Sequence, residues 1–157
     1  MSPALRRAMR AANAMHVWIY RGSRGRLAGT AKGMPILLLT VRGRRTDRLR
    51  TAPVGFLNHD GGWIVAGSAG GMRDEPQWFR NLRKMDQAIA EIGNVRRDVA
   101  VTITEGRQRD ALWHLLLAAY PFFAGYQKKA AREIPVAVLK GTGVIQPPRE
   151  KAGSACR

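Results

Sequence analysis

The chain has 157 residues, 45% of them hydrophobic, with 27 Lys and Arg against 11 Asp and Glu for a formal charge of +16. That length and apolar fraction predict one domain with a sizeable core and exclude a wholly disordered chain. A single cysteine, Cys156, excludes a disulfide framework and a multi-cysteine zinc site, and no apolar run approaches the ~20 residues of a membrane span.

The charge is unevenly placed. Residues 1–50 hold twelve Lys and Arg with Asp47 as the one acidic residue, a net of +11, against +5 for the remainder. Such a field attracts polyanions: nucleic acid, anionic lipid or an anionic cofactor.

Residues 4–20 predict a helix, with Leu5, Ala8, Met9, Ala12, Met15 and Ile19 at three- and four-residue steps and Arg6, Arg7 and Arg10 on the remaining face. A basic amphipathic helix of this kind can lie on anionic membrane or pack its stripe on its own domain. The alanine content favours packing; Trp18 and Tyr20 suit a membrane interface. No uninterrupted apolar run follows the arginines, so no secretory signal is predicted. The protein reads as cytoplasmic, at most touching the inner face of the cell membrane.

Residues 21–34, with four glycines, read as an irregular connection. The apolar run 35–41 predicts a buried strand, 43–49 a polar turn, and 50–58 a second strand in which Pro53 belongs at an edge or bulge. Residues 59–62 give a hairpin signal before a third strand at 63–68. A loop opened by Gly70 and Gly71 leads to Pro76 and a helix presenting Trp78, Phe79 and Leu82. Residues 87–92 and 95–104 predict another hairpin, with Val99, Val101 and Ile103 alternating. A helix over 107–119 shows Leu112, Leu115, Leu116 and Ala119 on one face and is broken by Pro121. A helical stretch at 122–132, a last strand at 134–139 and a loose tail from Gln146 complete the chain. Successive hairpins favour an α+β fold: about six mainly antiparallel strands closed into a small barrel, with about three flanking helices.

Three stretches carry candidate chemistry. Gly43-Arg44-Arg45-Thr46-Asp47-Arg48-Leu49-Arg50 puts four arginines and a hydroxyl on a tight turn. Backbone N–H groups there can form an anion-binding concavity, and guanidinium forks match phosphate or carboxylate. The plainer alternative is a solvated hairpin tip. Ala66-Gly67-Ser68-Ala69-Gly70-Gly71 lets backbone approach a flat ring, or is an ordinary Gly-rich loop; it is neither a dinucleotide fingerprint nor a Walker motif. Tyr120, Phe123 and Tyr126, three residues apart, wall a pocket for a flat quinone-like molecule or pack in the core. His16, His59 and His114 lack partners at ligand spacing, so no metal site is expected, and no nucleophile elbow is present.

In this order the stretches resemble the deazaflavin (coenzyme F420)-dependent nitroreductase and quinone reductase family. The matching text is Pro35-Ile36-Leu37-Leu38-Leu39-Thr40 with Gly43-Arg44-Arg45-Thr46, Arg50 and Pro53. It continues through Gly61-Gly62, the run from Val65 to Gly71, Pro76, Trp78, Asn81 and Leu82, and closes with Tyr120-Pro121, Tyr126-Gln127 and the run from Arg132 to Val136. It covers about residues 15–140. The resemblance implies a split β-barrel, FMN-binding split-barrel-like, over 21–145, between the basic helix 1–20 and a disordered tail 146–157. It implies a reduced deazaflavin, bound without a covalent link, as hydride donor. Arg44, Arg45, Thr46 and Arg50 would hold its phosphate and acidic tail. Pro53, Val54 and Gly55 with Ala66, Gly67, Ser68 and Ala69 would cradle its ring, and Gln77, Trp78 and Asn81 would line its other side. Ser68, Tyr120, Phe123 and Tyr126 would face the acceptor. Ser68 would orient the ring or the acceptor oxygen, and Tyr120 and Tyr126 would position the acceptor and relay a proton.

Three departures matter. Asp47 stands where the family commonly has Gly, which puts a negative charge beside the anion site in a turn that Asp tolerates. Gly55 and Phe123 replace tyrosines, which removes polar contacts to the acceptor and enlarges the pocket. That disfavours nitroimidazole reduction; the acceptor that the resemblance implies is a quinone, menaquinone in particular. The alternatives are an FMN enzyme on the same fold and a basic module for nucleic acid or anionic lipid. Arginines on a turn rather than along a reading helix speak against nucleic acid.

Overall fold

Six antiparallel strands close on themselves in the computed structural model, which describes residues 2–146. A short β1 (Thr30–Ala31) precedes β2 (Met34–Arg42), β3 (Leu49–His59), β4 (Gly62–Ala66), β5 (Gln87–Ile92), β6 (Val95–Ile103) and β7 (Val136–Gln146). The order β2-β3-β4-β7-β6-β5 returns to β2 through the pairing of Leu38, Leu39 and Thr40 with Glu91, Ala90 and Ile89, while β1 merely extends β2. Closure removes the sheet edges that would otherwise expose unpaired backbone. The fold is the split β-barrel expected from the sequence.

Strand alternation fills the interior. Leu37, Leu39 and Val41 of β2 and Ala52, Val54 and Phe56 of β3 point inward and meet Val65, Val99 and Leu139. Helix α2 (Gln77–Leu82) plugs one end with Phe79 and Leu82, both fully buried, each worth roughly 1.5–3 kcal/mol of apolar transfer. Pro53, in β3, pairs with Leu38 on one side; on the other, β4 reaches only from His59 to Phe56, so the proline sits at a local edge, as predicted.

Helices α3 (Gly106–Ala119) and α4 (Phe123–Ala130) cover the outer face built from Ile64, Ala66 and Val136. The buried face of α3 is Arg109, Leu112, Trp113 and Leu116; the expected Leu115 is 42% exposed and Ala119 is also exposed. The reason is Arg109, whose Nη2 and Nε donate to the Ile134 carbonyl at 2.6 and 3.1 Å, which turns the helix toward that side. The last strand is longer than the predicted 134–139, because β6 pairs with β7 as far as Arg96↔Gln146. Apart from Gln146, the predicted tail lies outside the described residues.

Helix α1 (Pro3–Gly22) begins where the Ser2 hydroxyl accepts the Leu5 N–H at 3.2 Å. Its predicted stripe stays mostly exposed, with Leu5 at 47%, Met9 at 43% and Met15 at 60%, and only Ile19 half-buried. The helix docks instead through Val17 and Tyr20, a separate face, onto Ile36 and Leu38 on the outside of β2. The Tyr20 hydroxyl donates to the Ile36 carbonyl at 3.0 Å and accepts the Gly93 N–H at 2.9 Å. Burial, opposed by the Gly93 hydrogen bond and aided by Glu91, raises its pKa above the ordinary tyrosine value. The folded state therefore holds the proton more tightly. That contribution is complete below the unfolded pKa of about 10 and is lost as pH rises through the folded value. Urea midpoints should fall from pH 9 to 11 more steeply in wild type than in Tyr20→Phe, which should itself lose about 1–3 kcal/mol at pH 7.

Candidate functional site

The site begins where β3 and β4 part. Their pairing runs from His59↔Gly62 to Phe56↔Val65 and stops; the next residue of β4, Ala66, continues the ladder with β7 at Val136 but has no partner on β3. Pro53, Val54 and Gly55 thus flank one side of an opening and residues 66–69 the other. Val54 buries its side chain in the barrel, so only its backbone faces that opening.

At one end of the opening lies the arginine turn. The Gly43 carbonyl accepts from the Thr46 and Asp47 N–H groups at 3.2 and 2.8 Å, and Asp47 takes a left-handed φ of 55°, a conformation aspartate tolerates. The Arg44 N–H donates to Asn81 Oδ1 at 3.3 Å. These three amides are therefore spent within the fold, so anion recognition at this turn falls mainly to the side chains. The Arg44 guanidinium donates to Asn81 Oδ1 at 2.9 Å and Gln77 Oε1 at 3.0 Å, so Arg44, expected at the cofactor's tail, meets Gln77 and Asn81, expected along its other side. Neutral amide oxygens orient that cation without cancelling its charge. Asp47 faces Arg42 across 3.4 Å, an exposed pair that adds little to stability.

The turn and the end of α2 border an open cleft of about 560 Å³ lined by Arg42, Gly43, Arg44, Arg45, Asp47, Lys84 and Met85. Arg45, Thr46 and Arg50 are exposed, and neither Arg45 nor Arg50 has a side-chain partner among the described residues. Arg50 continues the inward row of Ala52 and Val54 but does not line this cleft.

Contacts run unbroken from the cleft to the opening. Phe79 of α2 abuts Gly67, where an added Cβ would meet Phe79 at 3.0 Å and Pro135 at 2.9 Å. The glycine thus serves close packing rather than an open ring shelf. Gly70, with nothing within 4 Å, is the open one. Arg132 staples this loop, donating to the Gly67, Arg73 and Asp74 carbonyls at 3.0, 2.9 and 3.4 Å; burial lowers its pKa from the usual arginine value. The Ser68 side chain caps nothing in the 3-10 turn Ala69–Gly71 and has no partner among the described residues, so its hydroxyl is available.

On the far side, α4 packs against that turn, and a Cβ on Gly71 would come within 3.0 Å of the Tyr126 backbone. Tyr126 and Phe122 meet edge to face at 5.4 Å, and Tyr120 lies 5.9 Å from Phe122. Phe123, expected to face the acceptor, is buried against Trp113, with ring centroids 5.6 Å apart; it supports the wall from behind. Nor is the space beside Gly55 enlarged, because the Met34 sulfur lies where a Cβ on Gly55 would come within 2.7 Å. Trp78 is half-buried at the barrel end, against Phe79.

Residues that the sequence did not single out complete the site. Arg42 and Lys84 add cations to the cleft, and Lys32 Nζ donates to the Tyr126 hydroxyl at 2.7 Å. Lys84 sits just past the predicted helix. Lys32 sits in the stretch taken as irregular, where Lys32-Gly33 in fact forms the two-residue hairpin loop between β1 and β2.

A family model described as F420H2-dependent quinone reductase matches residues 12–141. The Mycobacterium tuberculosis (strain H37Rv) protein Rv3178 is 34% identical over 113 residues, spanning 72% of this chain and 95% of the relative. The F420H2-dependent quinone reductase Rv1261c of the same strain is 29% identical over 129 residues, spanning 80% of this chain and 87% of its own. Among solved structures, an F420-H2 dependent reductase superposes with a TM-score of 0.60 at 30% identity, covering 68% of this chain and 94% of that one. HutZ of Vibrio cholerae, at 11% identity and a TM-score of 0.55 over 84% of this chain and 92% of its own, shares the fold alone.

Proposed function

The chain belongs to the F420H2-dependent quinone reductase family, a family of oxidoreductases, and from that premise we propose that it passes a hydride from reduced coenzyme F420 to a quinone, menaquinone in particular. The observation that carries the proposal is the cationic cleft, joined through α2 to the loop 66–71 and the phenol-bearing wall of α4. The cofactor fits this donor set. A phosphodiester and several carboxylates call for uncompensated cations, and Arg45 and Lys84 have none of their charge answered by the described residues. FMN finds no support in the family match.

When bound, the deazaflavin supplies a two-electron hydride. Everything else falls to this chain. Arg45 and Lys84 hold the acidic tail, and Arg44, aimed by Gln77 and Asn81, holds phosphate. The Ser68 hydroxyl donates to the ring or to the acceptor oxygen. Tyr120, Phe122 and Tyr126 position the acceptor and exclude water, so that donor and acceptor atoms are held at reacting distance. The exposed apolar stripe of α1, beside Arg6, Arg7 and Arg10, brings the enzyme to anionic membrane, where a lipid-soluble quinone resides. No helix among the described residues is long and apolar enough to cross it.

Fluorescence titration with F420 and F420H2 tests the core of this: saturable binding at micromolar concentrations or below is expected, with FMN giving none. Absence of binding removes the proposal. In the same preparation, anionic vesicles should pellet the wild type and not the Leu5→Glu/Met15→Glu variant. Equal pelleting of both clears α1 of the role.

A further inference from the structure

We infer that Lys32 is a positioning residue for Tyr126 and the source of the proton that Tyr126 passes to the acceptor. The inference rests on the quinone reductase reading and names a residue outside the wall already described.

Two independent observations carry it. The first is contact. Lys32 Nζ is 2.7 Å from the Tyr126 hydroxyl and lies over the rings of Tyr126 and Phe122, 4.8 and 5.4 Å from their centroids. One ammonium therefore fixes the orientation of a phenol and braces the aromatic pair beside it. The second is backbone cost. Lys32 and Gly33 form a two-residue hairpin loop with φ of 52° and 78°. Such a loop favours Asn-Gly, and a long side chain in the left-handed region is disfavoured. Holding lysine where asparagine would relax the turn points to a role for the side chain rather than for the turn.

The chemistry balances. A quinone that accepts a hydride gains two electrons and one hydrogen, leaving an oxyanion on the ring. The Tyr126 O–H bond breaks as its proton goes to that oxygen, and the Lys32 ammonium returns a proton to the phenolate. Lys32, exposed on its turn, then takes a proton from water. Quinone plus hydride plus proton gives hydroquinone; the quinone is the oxidant and the reduced deazaflavin the reductant.

The test compares wild type, Lys32→Asn and Lys32→Arg. Asparagine suits the turn, so Lys32→Asn should melt at or above the wild-type temperature while its kcat with a soluble naphthoquinone falls at least tenfold, with quinone KM and F420H2 affinity within twofold. Lys32→Arg, which keeps the charge, should recover most of the affinity for anions but only part of kcat. Without cofactor, naphthalene-2-carboxylate should bind wild type at least fivefold more tightly than 2-naphthylmethanol at low salt, and Lys32→Asn should lose that preference. Unchanged kcat and unchanged anion preference in Lys32→Asn overturn the inference while leaving the quinone reductase reading intact. Failure of wild type to bind F420H2 defeats that reading instead.

Discussion

Replacing Arg45 and Lys84 together by alanine should weaken binding of reduced coenzyme F420 at least about 100-fold, since each hydrogen bond to a charged group is worth about 1.5–3 kcal/mol. Both side chains line the cleft, and neither has a partner among the described residues, so their removal strands no buried group. Stability should accordingly stay within about 0.5 kcal/mol of wild type. Arg44→Ala differs in kind. It leaves the Asn81 side chain, buried with its Oδ1 turned to Arg44, without its cationic donor, and so costs stability as well as affinity. The residual affinity of the double variant should also respond less to salt, because two exposed charges no longer take part. Fluorescence titration at two ionic strengths reads both effects. If the double variant binds within threefold of wild type while Arg50→Ala binds poorly, the acidic tail runs along β3 and not through the cleft.

The barrel was legible because short apolar runs bounded by turns, as at 35–41, and the alternation of Val99, Val101 and Ile103 both mark strands. The hairpins followed from glycine-containing turns, and the local edge at Pro53 from a missing N–H. Faces of helices were less legible. The regular stripe of α1 is real, yet the helix docks by Val17 and Tyr20, because Tyr20 finds the Ile36 carbonyl and, more than seventy residues along the chain, the Gly93 N–H. In α3, Trp113 displaces Leu115 because buried Arg109 seeks the Ile134 carbonyl, and a buried arginine defeats any count of apolar residues.

The candidate site shows the same division. Arg44, Gln77 and Asn81, which the resemblance assigns to the cofactor, meet through hydrogen bonds that no spacing in the sequence displays. The small-residue loop was recognised, but its glycines do different jobs: Gly67 makes room for Phe79 and Pro135, while Gly70 faces open space. Lys32 left one signal in the sequence, a Lys-Gly pair directly before an apolar strand, which marks a hairpin loop in which lysine is the wrong residue for the turn alone.

Gly71 gives the sharpest contrast between neighbouring positions. Both Gly70 and Gly71 have left-handed backbone, with φ of 63° and 82°. A methyl group on Gly70 meets nothing within 4 Å, so Gly70→Ala pays only the conformational penalty, about 1 kcal/mol. On Gly71 it would lie 3.0 Å from the Tyr126 Cα and carbonyl oxygen and 3.1 Å from the Lys129 Cβ. Backbone cannot rotate aside, so α4 must shift, and the total cost should be on the order of 2–4 kcal/mol. At about 2–4 °C per kcal/mol for a chain of this size, Gly71→Ala should melt some 5–15 °C lower, against a few degrees for Gly70→Ala. The shift moves Tyr126, whose hydroxyl accepts from Lys32 at 2.7 Å, so quinone turnover should fall at least tenfold. None of the residues that line the arginine cleft belongs to α4, so F420H2 affinity should stay within threefold of wild type. Equal melting temperatures and turnover in the two variants would mean that α4 is not seated on this turn, and the acceptor wall would have to be sought elsewhere on the barrel.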